Sequence, residues 1–279
     1  MRFKHHISMR FDASMRDALA ALDVDVVVAP LPPGGGAIMA FDVIEPSNEW
    51  RAVRRSLEHV DHLDMLSTMF EPEEIEGAEW LVLHGDWHNG YPVEPKRGDW
   101  FDSVYDTRAR CPACGAGWFQ LAPFRIRGEP KWGRRRMFQL NWVFDEIFVE
   151  PALWREVFEP AGLTCRPVLS ARGVQLQNVV QLAVDERVDT REPSSRSETC
   201  TDCGTIKYEP VTRGMYPGIV GVPKGPIVKT RTLFGSGAEA RNPIYVRKDL
   251  ADELRARRIR GAVLEPTEPP RLPARSERH

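Results

Sequence analysis

The order of apolar and polar positions divides the chain into segments of different period. Ile7, Met9 and Phe11 alternate with His6, Ser8 and Arg10, the period of a half-buried strand. Asp12 stands where a helix N-cap belongs, ahead of Met15, Ala18, Leu19 and Leu22 on one helical face. Val24, Val26 and Val28 predict a second strand, PLPPGGG (30–36) a loop, and Met39, Phe41 and Val43 a third strand. Ser47 predicts the cap of a second helix that buries Trp50, Val53, Leu57 and Val60, and Leu63 to Phe70 reads as a fourth strand. The order β-α-β-β-α-β predicts a ferredoxin-like domain over 1–75, with helices on one face of an antiparallel sheet. A short helix after Glu71-Pro72 and the apolar run Trp80-Leu81-Val82-Leu83 lead into an aromatic-rich connecting segment, 76–110.

Beyond residue 110 a weak repeat emerges. Phe148-Val149 leads into a helix with Leu153, Trp154, Val157 and Phe158, closed by Gly162 and followed by Leu163 to Val168. Tyr245-Val246 leads into a helix with Leu250 and Leu254, closed near Gly261 and followed by Ala262-Val263-Leu264. Pro151 suits a first helical turn, and Asp249 reads as an N-cap. Each unit follows a C-x-x-C-G motif, so 111–266 reads as two copies of knuckle, strand, helix, strand. The polar stretch 185–199 is expected to be a mobile loop, and the apolar-poor tail 267–279 to be disordered. The fold class expected is α+β.

The overall balance is ordinary: 42% apolar, 28% charged and a net charge of −2. That charge hides an asymmetry, because residues 1–110 carry 11 basic and 20 acidic residues (−9) whereas 111–279 carry 27 and 20 (+7). No apolar run is long enough to span a membrane and the start lacks a signal-peptide core, so a cytoplasmic location without membrane attachment is expected. Sixteen of the 25 aromatic residues lie between 80 and 158, which predicts a ring-rich core; the sharper alternative is a binding surface.

Four of the five cysteines form the pairs Cys111/Cys114 and Cys200/Cys203, each followed by glycine. A knuckle of this kind turns two sulfurs toward one ion, and four thiolates make the closed tetrahedral set of a structural zinc site, with no position left for catalytic water. One zinc ion per chain is therefore expected, although an iron–sulfur cluster uses the same ligands. The 85 residues between Cys114 and Cys200 make the clip long-range. Cys165 is left over and reads as a small buried apolar residue.

Three further constellations carry weaker signals. His84, Asp86 and His88 alternate and on a strand would face one side, as a second metal or acid–base site; an ordinary polar loop is the plainer reading, and a carboxylate such as Asp99 or Asp102 would be needed beside them. Arg125, Arg127, Lys131, Arg134, Arg135 and Arg136, interleaved with Phe124 and Trp132, suit either a phosphate-contacting patch or a solvated basic hairpin. Phe234-Gly235-Ser236-Gly237 is a flexible loop without the Lys-Ser/Thr of a phosphate loop.

The paired motifs CPACGAGWFQ (111–120) and TCTDCG (199–204), together with EPKWG (129–133), LNWVFDEIFV (140–149) and YVRKDLADELRARRIRGAVLEP (245–266), resemble the double-CXXCG motif proteins of bacteria. The resemblance covers about 80 to 265. It implies that Cys111, Cys114, Cys200 and Cys203 are the metal ligands. Some members of that family are immunity proteins that neutralise a toxin, and the acidic N-terminal domain and long 80–110 segment here depart from the shorter ones. The expected function is non-catalytic binding of a protein partner, with a toxin as the named candidate. Nucleic-acid binding through the knuckles is the alternative, and enzymatic use of His84, Asp86 and His88 a third reading.

Overall fold

The structure is a computed structural model and describes residues 1–95 and 99–269. The architecture is mixed α+β, with many strands and few helices, and the chain divides into two compact units: Met1–Glu74 with Thr212–Met215, and Ile75–Val211 with the chain from Tyr216 onward.

The first unit runs β1 (Arg2–Arg10), α1 (Ala13–Ala20), β2 (Val26–Pro30), β3 (Ala37–Glu45), α2 (Asn48–Leu57) and β4 (His62–Met69). The strands form one antiparallel sheet in the order β2-β3-β1-β4. Both helices begin where a side-chain oxygen takes an orphan backbone N–H: Asp12 accepts from Met15 and Ser47 from Trp50. Ile7, Met9, Met39, Phe41 and Val43 point from the sheet into a core completed by Met15, Leu19, Val53 and Leu57. His5 belongs to the same buried face, its ring stacked 3.6 Å from Trp50 and flanked by the carboxylates of Asp64 and Glu45.

The second unit follows α3 (Pro72–Gly77) and contains β5 (Trp80–Gly85), α4 (Trp100–Val104), β6 (Tyr105–Asp106), β7 (Phe119–Gln120), β8 (Arg125–Ile126), β9 (Met137–Leu140) and β10 (Val143–Val149). Next come α5 (Pro151–Leu153), which continues as a π-helical turn (Trp154–Phe158), then β11 (Cys165–Ser170), β12 (Gln175–Leu182), β13 (Arg187–Thr190) and β14 (Ser197–Thr199). The chain ends with β15 (Ile206–Tyr208), β16 (Ile219–Val220), β17 (Ile227–Thr230), β18 (Leu233–Phe234), β19 (Ile244–Arg247), α6 (Lys248–Ala256) and β20 (Ala262–Pro266).

Two larger sheets organise this unit, ordered β8-β11-β12-β10-β9 and β16-β13-β17-β19-β5-β20. Each of the two strand–helix–strand segments flanks a third strand: β12 lies antiparallel between β10 and β11, and β5 lies antiparallel between β19 and β20. Their helices meet in one core, where Leu153, Val157 and Phe158 join Leu250, Ala251 and Leu254 against Leu81, Leu83, Ile147, Val149, Ile244 and Val246. Burial on both faces explains why β5 reads as a near-continuous apolar run rather than an alternating one, whereas β10, buried at every position but Phe144, carries Asp145 and Glu146 inward. The aromatic-rich segment builds a second core of Tyr105, Phe124, Phe138 and Phe148, packed against Trp87, Trp100, Phe101, Trp118 and Trp132.

Several local expectations shift. The stretch 185–199 carries β13 and β14, because its backbone pairs with β16, β17 and β15 and buries Val188 while its polar side chains stay outside. Asp249 is not the cap of α6: the helix starts at Lys248, and the Asp249 carboxylate sits in the first turn, gripped by the Arg247 guanidinium at 2.7 and 2.9 Å. Thr267 is buried and donates to the Trp80 carbonyl through both its N–H and its hydroxyl, and residues 270–279 of the expected disordered tail lie outside the described residues.

One buried ion pair crosses the second unit. Lys229 on β17 donates to Glu146 on β10, with side-chain exposures of 3% and 4%, and Gln181 supplies a further hydrogen bond. Burial pushes the Glu146 carboxyl above its ordinary range, against the opposing pull of the ammonium. Lys229→Met should therefore lower unfolding stability by about 3–5 kcal/mol in denaturant titration, since it strands a buried carboxylate, whereas Lys229→Met with Glu146→Leu should recover most of the loss. A single-variant cost under about 1 kcal/mol would contradict the burial of this pair.

Candidate metal centre

Both C-x-x-C-G motifs occupy hairpin tips. Cys111 and Cys114 lie in the connection from β6 to β7, and Cys200 and Cys203 between the paired strands β14 and β15. The two turns share a backbone geometry. The Cys111 N–H donates to the Ala116 carbonyl and Gly115 N–H to the Cys111 carbonyl; Cys200 N–H donates to Thr205 and Gly204 N–H to Cys200. Gly115 and Gly204 both have φ +73°, a left-handed conformation in which a side chain is strained, so glycine after the second cysteine is a requirement of the turn.

The four sulfurs converge. Cys111 Sγ lies 3.9 Å from Cys200 Sγ, Cys114 Sγ 3.6 Å from Cys203 Sγ, and all four lie within 4.8 Å of one another. Ligands at ~2.3 Å from a central ion in a tetrahedron stand about 3.8 Å apart, so the arrangement fits one four-coordinate ion. All four cysteines are free thiols, and the group could hold a metal ion. Cys111 is buried and Cys203 exposed; Cys165, half-buried on β11, is not part of the group.

The electrostatics pull the sulfurs in opposite directions. The Thr205 hydroxyl and backbone N–H pull the Cys203 thiol down to about 6. For Cys114 the Ala116 N–H pulls in the same direction, but burial and the neighbouring thiols push it up to about 11. A metal removes that conflict by replacing the protons the sulfurs would otherwise share. Lys207 is the cation that reaches the knuckle backbone. Its side chain is buried on β15, and its ammonium donates to the carbonyls of Cys114 and Gly237, with no carboxylate in ion-pair range among the described residues. A buried cation held only by carbonyls is costly unless negative charge stands close by, and four thiolates on a bound ion would supply it.

The other constellations are distributed differently. β5 ends at Gly85, so the alternation expected of His84, Asp86 and His88 breaks. Asp86 turns to Arg135 at 3.1 Å, while His84 and His88 line a cavity of about 920 Å³ in the second unit. There His84 Nε2 lies 3.5 Å from a carboxylate oxygen of Glu265, and His88 packs edge-on against Phe144 with its pKa lowered by burial and then by His84. Neither Asp99 nor Asp102 reaches this cavity; Asp99 caps α4 by accepting from Phe101. The basic segment is only partly taken up: Phe124 is fully buried, Trp132 donates to Asn178, Arg135 meets Asp86 and Arg136 is held by Glu150 and Glu156, while Arg127, Lys131 and Arg134 stay exposed and Arg125 half-buried, without an ion pair among the described residues. Phe234 of the Gly-Ser loop is buried against Tyr208 and Tyr216.

Lys207 and Glu265 carry no motif in the sequence. The signal available for Lys207 is its position three residues after the knuckle glycine Gly204, which has meaning only once the hairpin is known.

Comparison of the chain with protein-family models, with curated proteins and with solved structures finds no match. Among the described residues no helix is long and apolar enough to cross a membrane.

Lys207→Met, which keeps the stem and removes the charge, is expected to weaken metal binding about 10–100-fold in chelator competition. Metal should also be released as pH falls, because protons compete with the ion for the sulfurs, and Cys203, the most acidic of the thiols, is the last to be reclaimed. Unchanged affinity in the variant and flat retention down to pH 4 would contradict the assignment of charge.

Proposed function

We propose that this chain is a non-catalytic zinc-binding protein that engages a protein partner, and that its role is immunity: neutralising a bacterial toxin in the cytoplasm. The carrying observation is the closed cluster of four sulfurs. A single ion held by four thiolates has no site for water or substrate, so its contribution is to clip distant hairpins together. The edges of 3.6 and 3.9 Å favour one zinc ion over an iron–sulfur cluster, whose several metal atoms spread the cysteine sulfurs further apart. Two C-x-x-C pairs kept as thiols suit a reducing compartment.

The resemblance to the double-CXXCG proteins supplies the immunity reading. The ferredoxin-like reading of the first unit is supported by its element order and its β2-β3-β1-β4 sheet, and the knuckle-repeat reading of the second by its two flanked strand–helix–strand segments. The excess of acidic residues in 1–110 favours a basic partner, because complementary charge speeds encounter and selects among partners.

Purified protein should carry about one zinc per chain by elemental analysis, and Cys200→Ser should lose both the metal and solubility. Co-expression with a toxin encoded beside this gene should restore growth of the host and yield a complex that co-purifies. A folded metal-free preparation would sink the zinc assignment; absence of both rescue and complex for every neighbouring gene would sink the immunity role.

A further inference from the structure

The first unit leaves part of its sheet without a partner strand. β3 runs from Ala37 to Glu45, but β2 pairs with it only as far as Phe41, opposite Val26. The Leu31 N–H donates to the Gly36 carbonyl, which turns the even-numbered main-chain groups of β3 toward β2 and the odd-numbered ones toward β1. Past Phe41 the groups of Ile44 therefore point at no strand. The cause lies upstream, where the Val24 N–H donates to Leu19 and Asp23 takes a left-handed φ of +58°, so residues 23–25 follow α1 and not β3. A notch of about 620 Å³ opens there, between residues 23–25, the end of β3, and Ser47 and Glu49 at the start of α2. Val24, Val27, Phe41 and Ile44 give it apolar walls.

Charge at the notch is one-sided. Asp23, Asp25, Asp42 and Glu49 line it, all four exposed, and among the described residues its lining contains no lysine or arginine. Asp42 holds two bases of β1, Lys4 and His6, whereas Asp23, Asp25 and Glu49 form no ion pair among the described residues. Arg51, in the first turn of α2, donates to Ser47 and Asn48 and keeps its charge. With Lys4 and Arg51 both counted, and His6 as well when protonated, the four carboxylates still outweigh them. The unit as a whole leans the same way: residues 1–74 carry 7 basic and 13 acidic side chains, and Thr212–Met215 adds only Arg213.

An unpaired strand edge presents N–H and C=O groups that a second chain can complete, and side chains of that chain then meet whatever flanks the edge. We propose that this notch receives a short extended segment of the protein partner, added to β3 as a strand beside Asp42–Glu45, with lysine or arginine side chains at Asp23, Asp25 and Glu49. Main-chain bonds at Ile44 dock the segment, and the carboxylates select its sequence. The free edge spans about 13 Å, which takes about three or four residues of a strand. The occupant is argued from charge complementarity, and it rests on the partner-binding reading given above, to which it adds the surface used and the sequence preferred.

The test uses the full chain, isotope-labelled and with its metal bound, titrated with the capped peptide Lys-Val-Lys-Val-Lys-Val and followed by amide chemical shifts. Saturable shifts centred on residues 23–27 and 42–45 are expected, with affinity falling several-fold between about 50 and 500 mM salt. The Glu-Val counterpart should not bind. The same lysine peptide N-methylated at every peptide bond keeps its charge but loses its main-chain donors, and should bind about tenfold more weakly or worse. Asp23→Asn/Asp25→Asn/Glu49→Gln should cost about tenfold or more with unchanged thermal unfolding, asparagine being tolerated at the left-handed position. No saturable binding, equal binding by the triple variant, or equal binding of the N-methylated peptide overturns the notch. If a neighbour-encoded partner binds the triple variant as tightly as the wild type, the partner reading stands and the notch falls. If the peptide binds as expected while no partner is found, the notch stands and the partner reading falls.

Discussion

Four sulfurs have to meet at one point, and they arrive on two hairpins separated by 85 residues of chain. Much of the second unit can be understood from that constraint. Closing so long a loop costs chain entropy that no local contact returns, and an ion bound by four thiolates would supply the compensation in one place. The knuckles themselves are local and stiff, each set by two backbone hydrogen bonds and one left-handed glycine. Between the tips the chain builds both large sheets and the core that holds their helices, so the clip encloses the packing instead of hanging from its edge.

Charge placement follows from the same convergence. Thiolates on adjacent tips repel unless a metal and a cation lie close, and Lys207 reaches from one hairpin to the Cys114 carbonyl of the other. The buried Lys229–Glu146 pair plays a comparable part deeper in the unit, joining β17 to β10 and so one sheet to the other. Asp145 beside it is buried, with neither carboxylate oxygen hydrogen-bonded among the described residues. A strand that carries Asp145 and Glu146 inward accepts a desolvation cost that an apolar pair would avoid, a cost better attested as fixing register than as adding stability.

How much of this was legible in the sequence depended on range. Asp12 and Ser47 announced their helices because a cap is a local contract between a side chain and the next turn. The sulfur cluster was legible because paired spacing encodes convergence even when the intervening fold is unknown. Segment 185–199 gives no strand signal of its own, since its strands owe their existence to partners elsewhere in the chain and only Val188 hints at burial. Asp249 lies two residues inside the cap position, which Arg247 occupies, and its carboxylate is taken by the Arg247 guanidinium. The cavity was invisible: His84 was noticed in the wrong company, with Asp86, while its actual neighbour Glu265 lies on the adjacent strand β20, 181 positions further along. Long-range strand pairing leaves no periodicity to read.

The central claim is that Cys111, Cys114, Cys200 and Cys203 together hold one ion. X-ray absorption at the metal edge of the purified protein tests it most directly. The account predicts a zinc edge with a single shell of four sulfur scatterers at about 2.3 Å and no metal–metal vector. A shell containing nitrogen or oxygen ligands, or an iron edge with a short metal–metal distance, would contradict it.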